Sequence, residues 1–376
     1  MLKQIIGAVF IVTFITACGG SDKIRVAQGK FKDSGNTSGV SYESGQQSGV
    51  TGAEGSFSYE VGNTVRFSIG KVVLGETLGK TVIRPVDLVP NGNFDSIPVQ
   101  NIVRFLMMLD DDTNPNTGIN ISNNVQVIAK TWPPIDFASQ NFEDNLVAII
   151  ANVVSVEEKV HTLPTAMVAK NHLKSAFLCD YAGVYKGAFS GNDKGNFGAF
   201  VDAITGKVTG LAYSTDNQLS MTLKSESPID HNNKMAFVVG STSSDAVFKG
   251  SFISTNALEG TWTNDTLNGH FTGERVGGNA DANYRFSAIY NGSDNGLFSF
   301  DIDKNNRITG VAYSIKQNKL LPLSGRLDKT KLNAQSSDNT ALTATLDIAT
   351  GKISGGWMNT EKGLFGTLEG TGCRLN

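Results

Sequence analysis

Asp110, Asp112 and Asn114 stand at alternate positions in Leu109-Asp-Asp-Asp-Thr-Asn-Pro-Asn-Thr-Gly118, just after an apolar segment of helical period. Oxygen ligands at alternate positions are how the opening of a calcium loop converges on its ion. Pro115 occupies the place where such a loop needs a turn-making glycine, and Ile121 the place of its closing Glu. Calcium held by Asp110, Asp112 and Asn114 is therefore half matched, and a solvated acidic loop is the preferred reading. Other reactive residues do not assemble. His161, His172, His231 and His270 include no H-E-x-x-H, and each reads as a surface or loop residue. Ser68 and Lys71 have the spacing of a serine–lysine nucleophile, but they lie in a strand pattern, where residues three apart point to opposite faces. There is neither a G-x-S-x-G elbow nor a G-x-x-x-x-G-K-[ST] phosphate loop. The expectation is a protein that is not an enzyme, with calcium its one candidate cofactor.

Cys18 carries a different chemistry. A positive start (Lys3) precedes the uncharged apolar run Ile5 to Ile15, and small residues follow. That order is a secretory signal. Its 11 residues are too few for a bilayer core, which takes about 20 in a helix. Ile15-Thr16-Ala17-Cys18 resembles the lipobox of bacterial lipoproteins. The resemblance implies a diacylglyceryl group on the Cys18 thiol, cleavage before it and acylation of the new amino terminus. Several acyl chains give firm membrane attachment, where one gives only reversible binding. Ordinary cleavage without lipidation is the alternative. Gly19 and Gly20 follow the cysteine, where the family's inner-membrane retention signal is an Asp, so the outer membrane is implied. With Cys18 lipidated, Cys179 and Cys373 are the remaining pair in an oxidising compartment. They bracket the last part of the chain, and a disulfide between them is expected. Two buried free thiols are the alternative.

The formal charge is −3, and loss of Lys3 with the signal takes it to −4. No basic stripe favours nucleic acid. Glycine is abundant, at 41 residues, which suits many short strands and tight turns. Alternating runs such as Gly55-Ser-Phe-Ser-Tyr59 and Thr64-Val-Arg-Phe-Ser-Ile69 predict strands from 28 to 95. Gly49-Val-Thr-Gly-Ala-Glu-Gly-Ser-Phe-Ser-Tyr59 is similar to the G-x-T-x-x-x-G-x-F phrase of carboxypeptidase-regulatory-like domains. Ala53 and Glu54 replace that family's usual Asp. The similarity implies a small β-sandwich acting as a spacer or stalk.

Between 96 and 178 the period becomes helical. Val99, Ile102, Val103 and Leu106 share one face, as do Phe142, Leu146, Ile149 and Val153, and Ala166, Ala169, Leu173 and Phe177. A three-helix spacer is expected. From 179 the chain returns to strands and repeats itself. Val208-Thr-Gly-Leu-Ala-Tyr-Ser214 matches Ile308-Thr-Gly-Val-Ala-Tyr-Ser314, and Gly260-Thr-Trp-Thr-Asn264 matches Gly355-Gly-Trp-Met-Asn359. The two glycine–phenylalanine blocks that flank these also recur in order. Tyr213 with Tyr313, and Trp262 with Trp357, recur in register, which points to packing. Asp202 and Asp303 recur ahead of turns, which points to turn capping.

The fold expected is mainly β with a helical insert: a β-sandwich, a three-helix spacer and a duplicated antiparallel eight-stranded meander, barrel or sandwich. The parts are a signal (1–17), a lipidated tether (18–27), the sandwich (28–95), the spacer (96–178) and β units at 179–279 and 280–376. The Gly-Thr-Trp-Thr-Asn…Gly-His-Phe-Thr-Gly block near 260–273 resembles the eight-stranded barrels of surface lipoproteins of the transferrin-binding-protein-B-like group. The function expected is presentation of the duplicated domain by an outer-membrane lipoprotein to a protein or glycan partner. An inward-facing structural envelope protein is the alternative, and an envelope enzyme a third.

Overall fold

The computed structural model describes residues 24–115, 117–232, 235–279 and 282–375. The signal segment and Cys18 lie outside the described residues. The N-terminal strands form two small sheets. Val26–Phe31 lies between Ser56–Glu60 and Val82–Ile83, and Ser41–Ser44 and Thr64–Ile69 lie between Gln47–Val50 and Val72–Leu78. Phe31 stacks on Phe67 (4.5 Å) and Phe57 meets Phe67 edge-on (5.2 Å), so the sheets pack face to face as a sandwich.

Four α-helices follow: α1 (Ile97–Met108), α2 (Asn123–Ala129), α3 (Phe142–Glu157) and α4 (Ala166–Tyr181). Pro98 occupies the first turn of α1, where its missing N–H costs nothing. Thr165 caps α4, its hydroxyl accepting from Val168 N. The helix α1 is buried on nearly every side, including Asn101 and Arg104, which makes it the centre of a core. That core runs without a break from Phe31 to Leu173. Sandwich and helices are thus one packed unit, where a sandwich followed by a three-helix spacer was expected. The short α2 escaped notice because seven residues hold only two buried positions, Val125 and Ala129.

Two closed antiparallel eight-stranded barrels complete the chain. The first comprises Gly183–Gly191, Gly195–Val201, Val208–Ser214, Leu219–Ser225, Met235–Thr242, Val247–Ser254, Ala257–Asn264 and Leu267–Val276. Its first and last strands pair (Val184 opposite Val276), and the pairing of Leu223 with Thr242 closes the ring. The second barrel runs from Ala282–Gly292 to Leu364–Arg374 in simple up-and-down order. Closure removes the free edges that invite aggregation. Asp202 and Asp303 cap turns as expected: Asp202 Oδ1 accepts from Ile204 N and Thr205 N, and Asp303 Oδ1 from Asn305 N and Arg307 N.

The barrels lie side by side. Val184, Phe200, Leu297, Tyr313 and Ile315 form a buried seam, with Tyr213 packed against it. Gly198 lets the barrels approach there, since a Cβ would sit 2.3 Å from Leu297 Cδ1 and 2.5 Å from Ile315 Cδ1 and would push those side chains aside. The recurrent tyrosines therefore serve the joint between the barrels rather than their interiors. At the lower ends, Ala203 N donates to Thr371 Oγ1 across the seam. Cys179 and Cys373 are joined as a disulfide with Cα atoms 5.8 Å apart. Cys179 lies in the last turn of α4, so the bridge ties the helical unit to the final strand rather than first strand to last.

Candidate functional site

The chemistry-bearing residues of the sequence are dispersed. Asp110 is fully buried; its Oδ1 accepts from Asn120 N at 2.9 Å, while Oδ2 has no hydrogen-bond partner among the described residues. Burial, reinforced by the nearby Asp112 carboxylate, raises its pKa to about 7. Asp112 accepts from Asn114 N (2.8 Å) and Thr117 Oγ1 (2.7 Å), and the Asn114 carbonyl also accepts from Thr117. Asp112 and Asn114 thus take up donors of their own loop, as turn residues do. Among the described residues no three His, Cys, Asp or Glu side chains converge as metal ligands.

Two histidines are buried: His161 lies in the loop between α3 and α4, and only His172, within α4, departs from the expected surface or loop position. His161 Nδ1 lies 2.8 Å from the Met108 carbonyl. His172 Nε2 pairs with Asp33 Oδ2 at 2.8 Å, with both side chains buried between sandwich and α4. No hydroxyl hydrogen bonds to the His172 ring among the described residues, so the pair lacks the nucleophile of a triad. The partners are 139 positions apart, which no local pattern could link. His270 is exposed, and the His231 side chain lies outside the described ones.

What the sequence reading missed is an interior space. Strand alternation turns Phe197, Met221, Leu223, Val238, Phe248 and Phe252 into the first barrel, around a cavity of about 370 Å³. Its floor is aromatic. Phe177 and Tyr181 of α4 reach beneath the barrel, Tyr181 meets Phe252 at 5.2 Å, and Tyr185 meets Phe252 at 5.1 Å. The Tyr185 hydroxyl is buried and hydrogen bonds the Thr255 carbonyl at 2.8 Å, and burial pushes its pKa far up. The roof is open. Asn192, Asp193, Asn217, Ser244 and Asn264 line the upper rim, with Leu219 (48% exposed) and Leu267 (45%) beside them. Among the described residues no lysine or arginine lines the space.

The second barrel encloses only about 140 Å³ at the same end. There Lys362 Nζ donates to Asp338 at 2.7 Å across the rim, and Asn359 Nδ2 donates to the Asp338 carbonyl at 2.9 Å. Burial opposes ionisation of Asp338, but Lys362 and the hydroxyls of Ser336 and Thr340 hold its carboxyl well below the usual carboxylate range. In the first barrel, Asn264 Nδ2 donates likewise to the Ser244 carbonyl (2.9 Å), which equates Ser244 with Asp338. Trp262 and Trp357 correspond too, donating to the Ser190 and Asn291 carbonyls. The turn after Asn264 holds two residues, where that after Asn359 holds four. Lys362 therefore has no counterpart. A neutral Ser and a shorter turn leave the first barrel open.

No protein family and no curated protein matches the sequence. Similar solved structures include a transferrin binding protein B variant from Haemophilus parasuis Hp5, at 9% identity over 48% of this chain and 54% of that one, TM-score 0.19. Isotype 1 transferrin binding protein B from serogroup B Neisseria meningitidis matches at 8% over 51% and 64%, TM-score 0.20. A protein of unknown function from the DUF3598 family of Nostoc punctiforme matches at 11% over 54% and 98%, TM-score 0.19. The matched part spans 54% and 64% of the two transferrin binding proteins. At such identities and scores the likenesses say nothing of a ligand or partner.

Proposed function

We propose that this chain is a non-enzymatic outer-membrane lipoprotein, anchored through Cys18, that presents its tandem barrels to a protein or glycan partner. One observation carries the reading. The N-terminal unit, from which the lipidated tether would lead to the membrane, plugs the first barrel from below, is tied to the last strand of the second by Cys179–Cys373, and leaves both upper rims uncovered. Exposed apolar side chains gather on those rims and their hairpins: Leu219, Leu267, Met358 (52% exposed) and Phe365 (67%). Met358 and Phe365 face each other across one strand pair. Apolar groups ringed by polar loops are the composition of interaction surfaces.

Two measurements test it. Cys18→Ser is expected to abolish incorporation of labelled palmitate, and label entering the variant would refute the anchor. Protease added to intact cells is expected to cut the barrel hairpins. Complete protection of the barrels, with cleavage only after the outer membrane is opened, would remove outward display.

A further inference from the structure

We propose that the first barrel is a binding site for a single-chain lipid with an uncharged, hydrogen-bonding head, the tail descending through the open upper rim. The cavity volume of about 370 Å³ lies within the range of small-ligand sites, about 300–1,000 Å³. An eight-stranded barrel has room for one small ligand when its interior side chains leave a space. Between rim and floor the wall is apolar, so the space holds nothing that would bind water. The aromatic floor makes it a dead end, which suits a chain rather than a threaded polymer.

The head is fixed by the rim. Amides of Asn192 and Asn217 offer donors and acceptors there, beside a Ser244 hydroxyl already engaged with Thr242 Oγ1 and Met221 Sδ, each at 3.0 Å. Among the described residues that line the cavity the charged one is Asp193, whose Oδ1 accepts from Ser214 Oγ (2.7 Å) and Lys194 N (2.8 Å). The neighbouring Lys194 ammonium is 3.4 Å from Asp216 and points its charge there. A carboxylate or phosphate head would meet Asp193 with no cation to balance it. The second barrel shows what a closed version looks like: an Asp338–Lys362 pair over a reduced interior. Among the described residues the first copy has no such pair, and its space is the larger, about 370 Å³ against 140 Å³.

The mature polypeptide carrying Cys18→Ser, oxidised and free of detergent, is titrated with monododecanoylglycerol below its micelle concentration. Trp262 borders the cavity and reports binding in a Trp357→Phe background, with native mass spectrometry giving stoichiometry. One lipid per chain is expected. Shortening the chain by one methylene weakens binding roughly fourfold, and lengthening it past the floor brings no gain. Dodecanoate at pH 8 binds at least tenfold more weakly. Leu219→Lys with Ser244→Asp, which installs at the first mouth the Lys319 and Asp338 of the second barrel, weakens binding at least tenfold. Met221→Trp, which fills the space without charge, does the same, and Leu320→Lys on the second barrel changes nothing. Absence of saturable binding overturns the proposal. So does equal affinity for dodecanoate, or undiminished affinity in both cavity variants with native circular dichroism.

Discussion

Asp110→Asn is expected to stabilise the protein at neutral and higher pH and to leave it unchanged near pH 4. Asp110 is fully buried at the end of α1 and, among the described residues, keeps one carboxylate oxygen without a partner. Burial raises its pKa from 3.8 to about 7. Below pH 3.8 the carboxyl is protonated in folded and unfolded chains alike. Between pH 3.8 and about 7 the unfolded chain releases the proton while the native loop retains it, so native stability falls as pH rises. Above about pH 7 both states are ionised and the slope vanishes. The rise corresponds to ~4 kcal/mol at ~1.4 kcal/mol per pKa unit. Relaxation of the loop toward solvent reduces the realised cost, and ~2 kcal/mol is expected. Asparagine keeps the acceptor for Asn120 N and offers Asp112 an amide donor. Urea unfolding from pH 4.5 to 8.5, followed by Trp132 with Trp262 and Trp357 replaced by Phe, reads the same core, since Trp132 packs on Phe105 of α1. A difference between variant and parent that stays flat across this range, or an Asn variant weaker at pH 8, would refute the reasoning.

Replacing Cys179 and Cys373 together by Ser is expected to lower Tm in calorimetry, with an upper limit of roughly 5 kcal/mol for so long a loop. Asp301→Ala strands Arg285, whose Nε and Nη2 donate to the two Asp301 oxygens at 2.9 and 3.1 Å in a buried pair. It is expected to cost about 3–5 kcal/mol by urea unfolding, whereas Arg285→Met with Asp301→Leu costs far less. Millimolar calcium is expected to leave Tm unchanged, because Asp112 is engaged by Asn114 N and Thr117 and Asp111 by Lys159, and no three carboxylates or imidazoles converge there among the described residues; a rise would place an ion there.

The barrels were legible because period-two alternation and internal repetition are local properties that the chain displays directly. Helix α1 was legible as helical but not as central, since its spacing reveals one apolar face while Asn101 and Arg104 are buried through partners far along the chain. Asn101 Nδ2 donates to the Phe137 carbonyl and Arg104 Nε to that of Pro164. The His172–Asp33 pair was illegible for the same reason. Tyr213 and Tyr313 were rightly read as packing, yet repetition alone cannot tell an interior from a seam. The cavity is a harder case, because a hollow is a property of side chains that are absent. Its trace lies in the differences between the repeats: Ser244 against Asp338, Leu219 against Lys319, and a turn two residues shorter. Matching the copies for likeness hides those differences.

Duplication gives such divergence a physical basis. An open apolar hollow forfeits dispersion contacts that a filled barrel makes, so a single barrel that lost its roof would lose stability. Here the altered barrel is supported on three sides. Phe177 and Tyr181 of α4 close its floor, the Phe200–Leu297–Tyr313 seam joins it to a filled twin, and Cys179–Cys373 ties that twin to the helix beneath. The filled copy can hold its rim with Asp338 and Lys362 and contribute packing, while the hollow copy is free to trade packing for a space. Replacing seam residues such as Leu297 by Ala should then harm the first barrel more than the second, because only the first depends on its neighbour for rigidity. Equal loss of hydrogen-exchange protection in both barrels would contradict that asymmetry.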